Sequence, residues 1–268
     1  MGNVLSSAPK RPLLTAAALD FGIQWALWAV ASILQTEQLY GPLYDLAGSS
    51  TFIFLILQTL RWQKKVLNLR QLVQSGCVTL WGLRLGLFLL YRIIQVGRDR
   101  RFDKVRGNPR LFLIWWTVQG LWVWMTLLPT LILNTSAKDE KLTWKDYMGW
   151  SLWLIGFILE VVADHQKSQF RADPANKGKW IASGLWSLCQ HPNYLGEIML
   201  WSSLFLPASS VMSGHQYWSV ISPMFVAYML TRLSGIPILE RQGLKRWGHL
   251  TEYHKYRGNT AVLIPHIW

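Results

Sequence analysis

The chain has 268 residues, of which 51% are hydrophobic and only 15% charged, with 17 tryptophans; that charged fraction, well below the roughly 25% of soluble domains, excludes an ordinary soluble globular protein. The formal net charge of +13 does not point to nucleic acid, because the Lys and Arg sit in short loops between apolar runs, as the positive-inside bias dictates, and not on one basic face. Cys77 and Cys189 lie in or beside those runs without CxxC or zinc spacing, so neither a disulfide framework nor a metal site is expected.

Apolar runs close to the ~20 residues that cross a bilayer recur along the whole length. They cover residues 13–34, 43–60, 72–94, 111–133, 147–163, 185–206 and 217–231. The pattern predicts an all-α, polytopic integral membrane protein of about seven transmembrane helices, one domain over residues 1–268. The first run is long and lacks a small-residue cleavage site, which argues against a cleavable signal peptide. The opening MGNVLS matches the myristoylation pattern at Gly2.

The first run carries Asp20, and the second opens on YDLAGSSTFIF with Asp45; a carboxylate in hydrocarbon faces a cavity or a partner. The third holds Gly82-Leu-Arg-Leu-Gly86, whose GxxxG spacing permits close helix approach, with Arg84 between the glycines and Arg92 eight residues on. The loop after it, QVGRDRRFDKVRGNPR, is rich in cations and suits phosphates. The fourth run is uncharged, with Pro129 near its end. The fifth ends in LEVVADHQKSQFR, where Glu160, Asp164, Lys167 and Arg171 follow at i, i+4, i+7 and i+11. That spacing makes one stripe down a helix leaving the membrane.

Residues 184–201, GLWSLCQHPNYLGEIMLW, place four polar side chains in an otherwise apolar segment. Pro192 suits the first position of a helix. A helix starting there puts Asn193, Glu197 and Trp201 on one face, with His191 at its N-terminal end, where free N–H groups favour an anion. After an uncharged turn and the seventh run comes a polar tail dense with Glu240, Arg241, Tyr253, Tyr256 and Arg257, suited to cover a site at the membrane surface. Placing the N-terminus outside puts sixteen Lys and Arg in inside segments against nine outside. This topology gathers the cationic loop, the stripe and the tail on the cytosolic face. Myristoylation would need the opposite orientation; the larger count decides.

Together, LYDLAGSSTF, WGLRLGLFLLYR with GRDRRFD, EVVADHQKSQFR, GLWSLCQHPNYLGE, SGIPILE and YHKYRGNTAVLIP resemble the steroid 5-alpha-reductase-like membrane enzymes, and most closely their DUF1295 branch. The resemblance runs from about Tyr44 to Pro265. It implies a seven-helix reductase with a cytosolic-side pocket for NADPH, acting on a carbon–carbon double bond of a lipid or steroid-like enone. It implies that Asn193 and Glu197 hold the nicotinamide end with Tyr194 packed nearby, that Asp164 and Arg171 hold ribose and phosphates, and that His191 sits close to the cofactor. Arg98, Arg101 and Tyr256 are implied as phosphate or ribose contacts, and Glu160 and Lys167 belong to the same stripe. A eukaryotic chain of this kind is expected in the endoplasmic reticulum membrane, among membrane lipids. The family commonly has Ser-Arg before His-Pro-Asn-Tyr, whereas this chain has Cys189-Gln190. The group that polarises the substrate carbonyl does not map; Asp20, Asp45 and Tyr91 are candidates by position.

No GxGxxG follows a strand pattern, which excludes a Rossmann site. Two other readings compete. One is an S-adenosylmethionine-dependent membrane methyltransferase of the isoprenylcysteine type, which shares a His-Pro-x-Tyr turn. The other is a non-catalytic lipid- or sterol-binding membrane protein. The stripe and the Asn193-to-Glu197 spacing favour the reductase.

Overall fold

The computed structural model describes residues 9–34, 37–63, 66–96, 108–265 and 267, with the backbone alone for 37–42 and 92–96. Within these limits the chain is helical: α1 Pro12–Leu34, α2 Glu37–Arg61, α3 Leu69–Val96, α4 Pro109–Thr135, α5 Trp144–Ala172, α6 Leu185–Leu188, α7 Pro192–Ser203, α8 Phe205–Ser209, α9 Ile221–Tyr228, α10 Ile236–Trp247 and α11 Thr251–Asn259. No strand forms among the described residues; one isolated parallel bridge joins Cys189 and Ala261. Among the described residues six segments are long and apolar enough to cross a membrane: Pro12–Leu34, Leu43–Arg61, Leu69–Tyr91, Pro109–Thr135, Trp144–Ala172 and Gly214–Trp247. The protein is an all-α, polytopic membrane protein.

The first five runs read from the sequence become α1 to α5, each somewhat longer than its apolar stretch. The run over residues 185–206 differs. The ring of Pro192 restricts the residue before it, and His191 sits at φ −139°, ψ 59°, so the helix stops at Leu188 and restarts at Pro192. With 12 residues, α7 is about 18 Å long, short of the ~30 Å hydrocarbon layer. The run over 217–231 is also composite. It passes through a 3₁₀ turn at Gly214–Val220, α9, a π turn at Met229–Leu233 and then α10.

The chain forms two compact units, one of residues 1–143 with 207–220, the other of 144–206 with 221–268. In the first, α2 packs on α3 and α4, and α1 on α4. Phe52 meets Trp81 and Trp122 edge-on, with ring centroids 5.0 and 4.9 Å apart. The GxxxG of α3 is consumed inside this unit: a Cβ on Gly86 would lie 3.2 Å from the Ser49 Cβ of α2, and one on Gly82 3.3 Å from Ile53. Arg84 lies over the Phe88 ring at 5.1 Å, while the Arg92 side chain is outside the described residues.

Buried polar side chains bond the helices of this unit together. Gln24 Nε2 donates to Asp20 Oδ1 at 3.4 Å and to Thr51 Oγ1 at 3.2 Å. Gln119 Nε2 donates to Gln24 Oε1 and to the Tyr44 carbonyl, both at 3.0 Å. Elsewhere in the unit Asn134 donates to Thr59 and Ser75. Arg70, buried, donates to the carbonyls of Glu140 and Lys141 at 3.2 and 3.0 Å. In an apolar medium such bonds replace the water these groups would otherwise need.

In the second unit α5 and α7 run against each other. A Cβ on Gly196 would fall 2.5 Å from the Gly156 carbonyl oxygen, and one on Gly156 2.7 Å from that of Gly196. Neither position admits a side chain, so the backbones of α5 and α7 touch.

Candidate functional site

This seam sets the site. α5 carries the predicted stripe as one continuous helix through Glu160, Asp164, Lys167 and Arg171. Pro192 is the first helical residue of α7 and His191 its N-cap, so Asn193 and Glu197 lie one turn apart on one face. Asn193 Nδ2 donates to Asp164 Oδ1 at 3.0 Å, a contact across 29 residues of chain. Asn193 Oδ1, at the other end of the amide, is buried without a hydrogen-bond partner among the described residues. Glu160 is buried one turn before Asp164.

His191, only 7% exposed, stacks on the Tyr194 ring with centroids 5.7 Å apart and planes 15° from parallel. It precedes α7, outside the six spans. Burial pushes its pKa down to about 4, assisted by the positive charges of Lys167 and Arg257. The imidazole is therefore neutral at pH 7, and its Nδ1 has no hydrogen-bond partner among the described residues.

Lys167 Nζ lies 4.3 Å over the Trp186 ring, whose Nε1 donates to the Ala163 carbonyl at 3.0 Å. Tyr256 Oη donates to the Trp186 carbonyl at 2.9 Å. Burial first, then Cys189 and Tyr253, push that phenol's pKa up, so Tyr256 stays a donor. Gln166 Oε1 accepts from the Leu185 N–H at 3.0 Å, and Gly184 turns the chain there at φ +59°, in the left-handed region glycine favours. A Cβ at Gly184 would also lie 2.7 Å from the Gln166 amide.

Gln190 clasps the C-terminal segment. Its backbone N–H donates to the Ala261 carbonyl at 2.8 Å, and its side-chain amide donates to the carbonyls of Thr260 and Arg257 at 2.7 and 3.1 Å. Arg257 Nη2 pairs with Glu240 Oε1 at 3.0 Å, tying α11 to α10.

Four predicted residues, Lys167, Arg171, His191 and Tyr256, line a cavity of about 130 Å³. Lys179, Trp180, Gln190, Arg246, Trp247 and Tyr253 contribute further walls. Asn193, Asp164, Glu160, Glu197 and Tyr194 lie on α5 and α7, where Asn193 meets Asp164 and Tyr194 stacks on His191. Asp20, Asp45 and Tyr91 lie in the other unit. There Asp20 is fully buried beside Gln24, the Asp45 carbonyl accepts from Ser49 Oγ at 3.1 Å, and Tyr91 is 57% exposed on α3. Arg98 and Arg101 lie outside the described residues. The walls that sequence reasoning did not assign had a faint signal: Trp180 is the one aromatic residue of a polar loop, and Arg246 lies in the last turn of an amphipathic α10.

A family model described as a protein of unknown function, DUF1295, matches residues 27–260. Uncharacterized protein C594.04c of Schizosaccharomyces pombe is 24% identical over 243 residues, 79% of this chain and 69% of its own length. The 3-oxo-5-alpha-steroid 4-dehydrogenase 1 of Macaca fascicularis is 27% identical over 121 residues, 45% of this chain and 41% of that protein. Probable O-methyltransferase ustE of Ustilaginoidea virens is 33% identical over 66 residues, 25% of this chain and 23% of its own. The matched region thus covers less than half of either relative that is named for an activity. No solved structure matches the chain. Because the family model takes in every helix from α2 to α11, the chain belongs to the DUF1295 family.

Proposed function

We propose that this protein is a membrane-embedded, NADPH-dependent reductase that saturates a carbon–carbon double bond of a lipid or steroid-like enone. The observation that carries this reading is the pair of orphaned atoms at the start of α7, Asn193 Oδ1 and His191 Nδ1, both buried and without a partner among the described residues. A buried polar atom left unmet costs about 1–3 kcal/mol, so a polar ligand is expected at this corner. A nicotinamide carboxamide suits it. Asn193 Oδ1 would accept from its NH₂, while Asp164 fixes the Asn193 amide from the other end. Glu197, one turn along the same face, accepts a second N–H.

Farther along α5, Lys167 and Arg171 bring cations to the phosphates, with Arg offering the planar fork that matches phosphate oxygens. His191, kept neutral, offers one hydrogen bond and adds no charge, and Tyr194 holds its ring plane. When bound, NADPH supplies the hydride. The chain's own part is to fix it between two helices in backbone contact, which limits the freedom of the reacting groups. Support also comes from a relative whose name describes dehydrogenation of a 3-oxo steroid, the reverse of enone reduction. In a eukaryotic cell the expected place is the endoplasmic reticulum membrane, with NADPH taken from the cytosolic side.

A second reading, methyl transfer from S-adenosylmethionine, is favoured by the match to a probable O-methyltransferase. Purified protein is expected to oxidise NADPH when given enone lipids, with Asn193→Ala and Glu197→Ala each lowering kcat/KM by about tenfold or more, roughly 1.4 kcal/mol. Turnover unaffected by both substitutions would contradict the assigned roles. Methyl transfer without NADPH oxidation would replace the first reading by the second.

A further inference from the structure

We infer that Trp180, Trp247 and Tyr253 form the adenine subsite, with Lys179 and Arg246 receiving the phosphate on the adenosine ribose; this rests on the reductase reading. The cavity these residues line holds about 130 Å³, less than the roughly 300–1,000 Å³ of a pocket that takes a whole drug-sized ligand. It therefore receives one end of a dinucleotide, and the rest lies along the adjoining α5–α7 face.

The order of residues along α5 says which end. The orphaned amide of Asn193 is tied to Asp164, where a carboxamide is met. Lys167 and Arg171 follow toward the C-terminus of α5, and Glu160 to Arg171 spans about 16 Å of helix axis. Past Arg171 the lining turns aromatic. The Trp180 centroid lies 6.0 Å from that of Trp247 and 5.0 Å from that of Tyr253, with planes at 60° and 68°. Trp247 and Tyr253 are 5.5 Å apart at 52°. All three rings line the cavity.

The cluster is also held in place. Trp247 Nε1 donates to the Gly178 carbonyl at 2.5 Å, in the loop that carries Lys179 and Trp180. Gly243 of α10 leaves room for Tyr253: a Cβ there would lie 2.1 Å from its Oη. A rigid aromatic face is what a purine seeks, since base–aromatic stacking is sequence-tolerant and strong. Lys179 and Arg246, each next in sequence to one of the tryptophans, line the same cavity and complement a phosphate beside the purine. The nicotinamide ring is thereby left for the other end.

The test uses the full chain in detergent, with adenosine 2′,5′-bisphosphate as the probe for this end alone. In the wild-type protein it is expected to compete with NADPH. Trp180→Ala and Trp247→Ala should weaken both ligands about tenfold, within the range for losing one base–aromatic stack, and Trp180→Phe should restore them. Arg246→Gln should erase a preference for NADPH over NADH, and Asn193→Ala should weaken NADPH while leaving the bisphosphate unchanged. If wild type binds NADPH but the bisphosphate does not compete, or the tryptophan variants bind NADPH as wild type does, the subsite is wrong and the reductase reading stands. If wild type binds no NADPH, both fail.

Discussion

His191 shows how one buried side chain links the site to the solution pH. Its pKa is held near 4 by burial and by Lys167 and Arg257, against about 6.5 for an exposed histidine. Between those values the unfolded chain binds the extra proton and the folded chain does not, so folding stability rises with pH across that window. The contribution present above pH 6.5 is lost as pH falls toward 4, and 2.5 units correspond to roughly 3 kcal/mol. Thermal midpoints measured from pH 7 to pH 4 are expected to fall, and His191→Gln should flatten that slope. An unchanged slope would place the titration elsewhere. Gln190 makes a second case. Standing where the family commonly has Arg, it is a clasp, with its amide on two carbonyls at the end of α11. Gln190→Arg, still a donor, should therefore keep NADPH affinity, while Gln190→Leu should weaken it by loosening α11, a split that a titration of both variants checks.

At the scale of elements, the seam between α5 and α7 carries the site. Gly196→Ala would drive a methyl into the Gly156 carbonyl and the Glu160 amide, 2.5 and 2.7 Å away. Because backbone cannot yield as a side-chain tip can, the helices must separate, at a cost of about 1–3 kcal/mol or more. A melting curve should show it, and NADPH binding should weaken as Asn193 leaves Asp164. Much of this level was legible in the sequence. Pro192 announced the start of α7, the i, i+4, i+7, i+11 spacing announced the stripe on α5, and apolar length announced α1 to α5. The close approach at Gly156 and Gly196 was not legible, because no local pattern says which glycine faces which. Nor was the aromatic cluster, whose members come from positions 180, 247 and 253 and meet only after α10 and α11 fold back. The stretch 185–206 was counted among the spans because its apolar content outweighed the break that Pro192 makes in it.

At the scale of the whole molecule, the two compact units are built on different bonding patterns. The one made of α1 to α4 with residues 207–220 is knit by buried amides and hydroxyls. Gln119→Leu, which removes the bonds that Gln119 donates to Gln24 Oε1 and the Tyr44 carbonyl, should lower its stability by about 1–3 kcal/mol, measurable as a lower melting temperature. The other unit brings cations and rings to one cavity and holds Asn193 Oδ1 and His191 Nδ1 buried without a partner among the described residues. The central claim is that the corner of Asn193 and His191 meets a nicotinamide. Calorimetric titration of the purified protein with NADPH and, separately, with S-adenosylmethionine tests it most directly. Saturable binding of NADPH at one site is expected, weakened about tenfold in Asn193→Ala, with no competition from S-adenosylmethionine; binding of S-adenosylmethionine with none of NADPH would contradict this role for the corner.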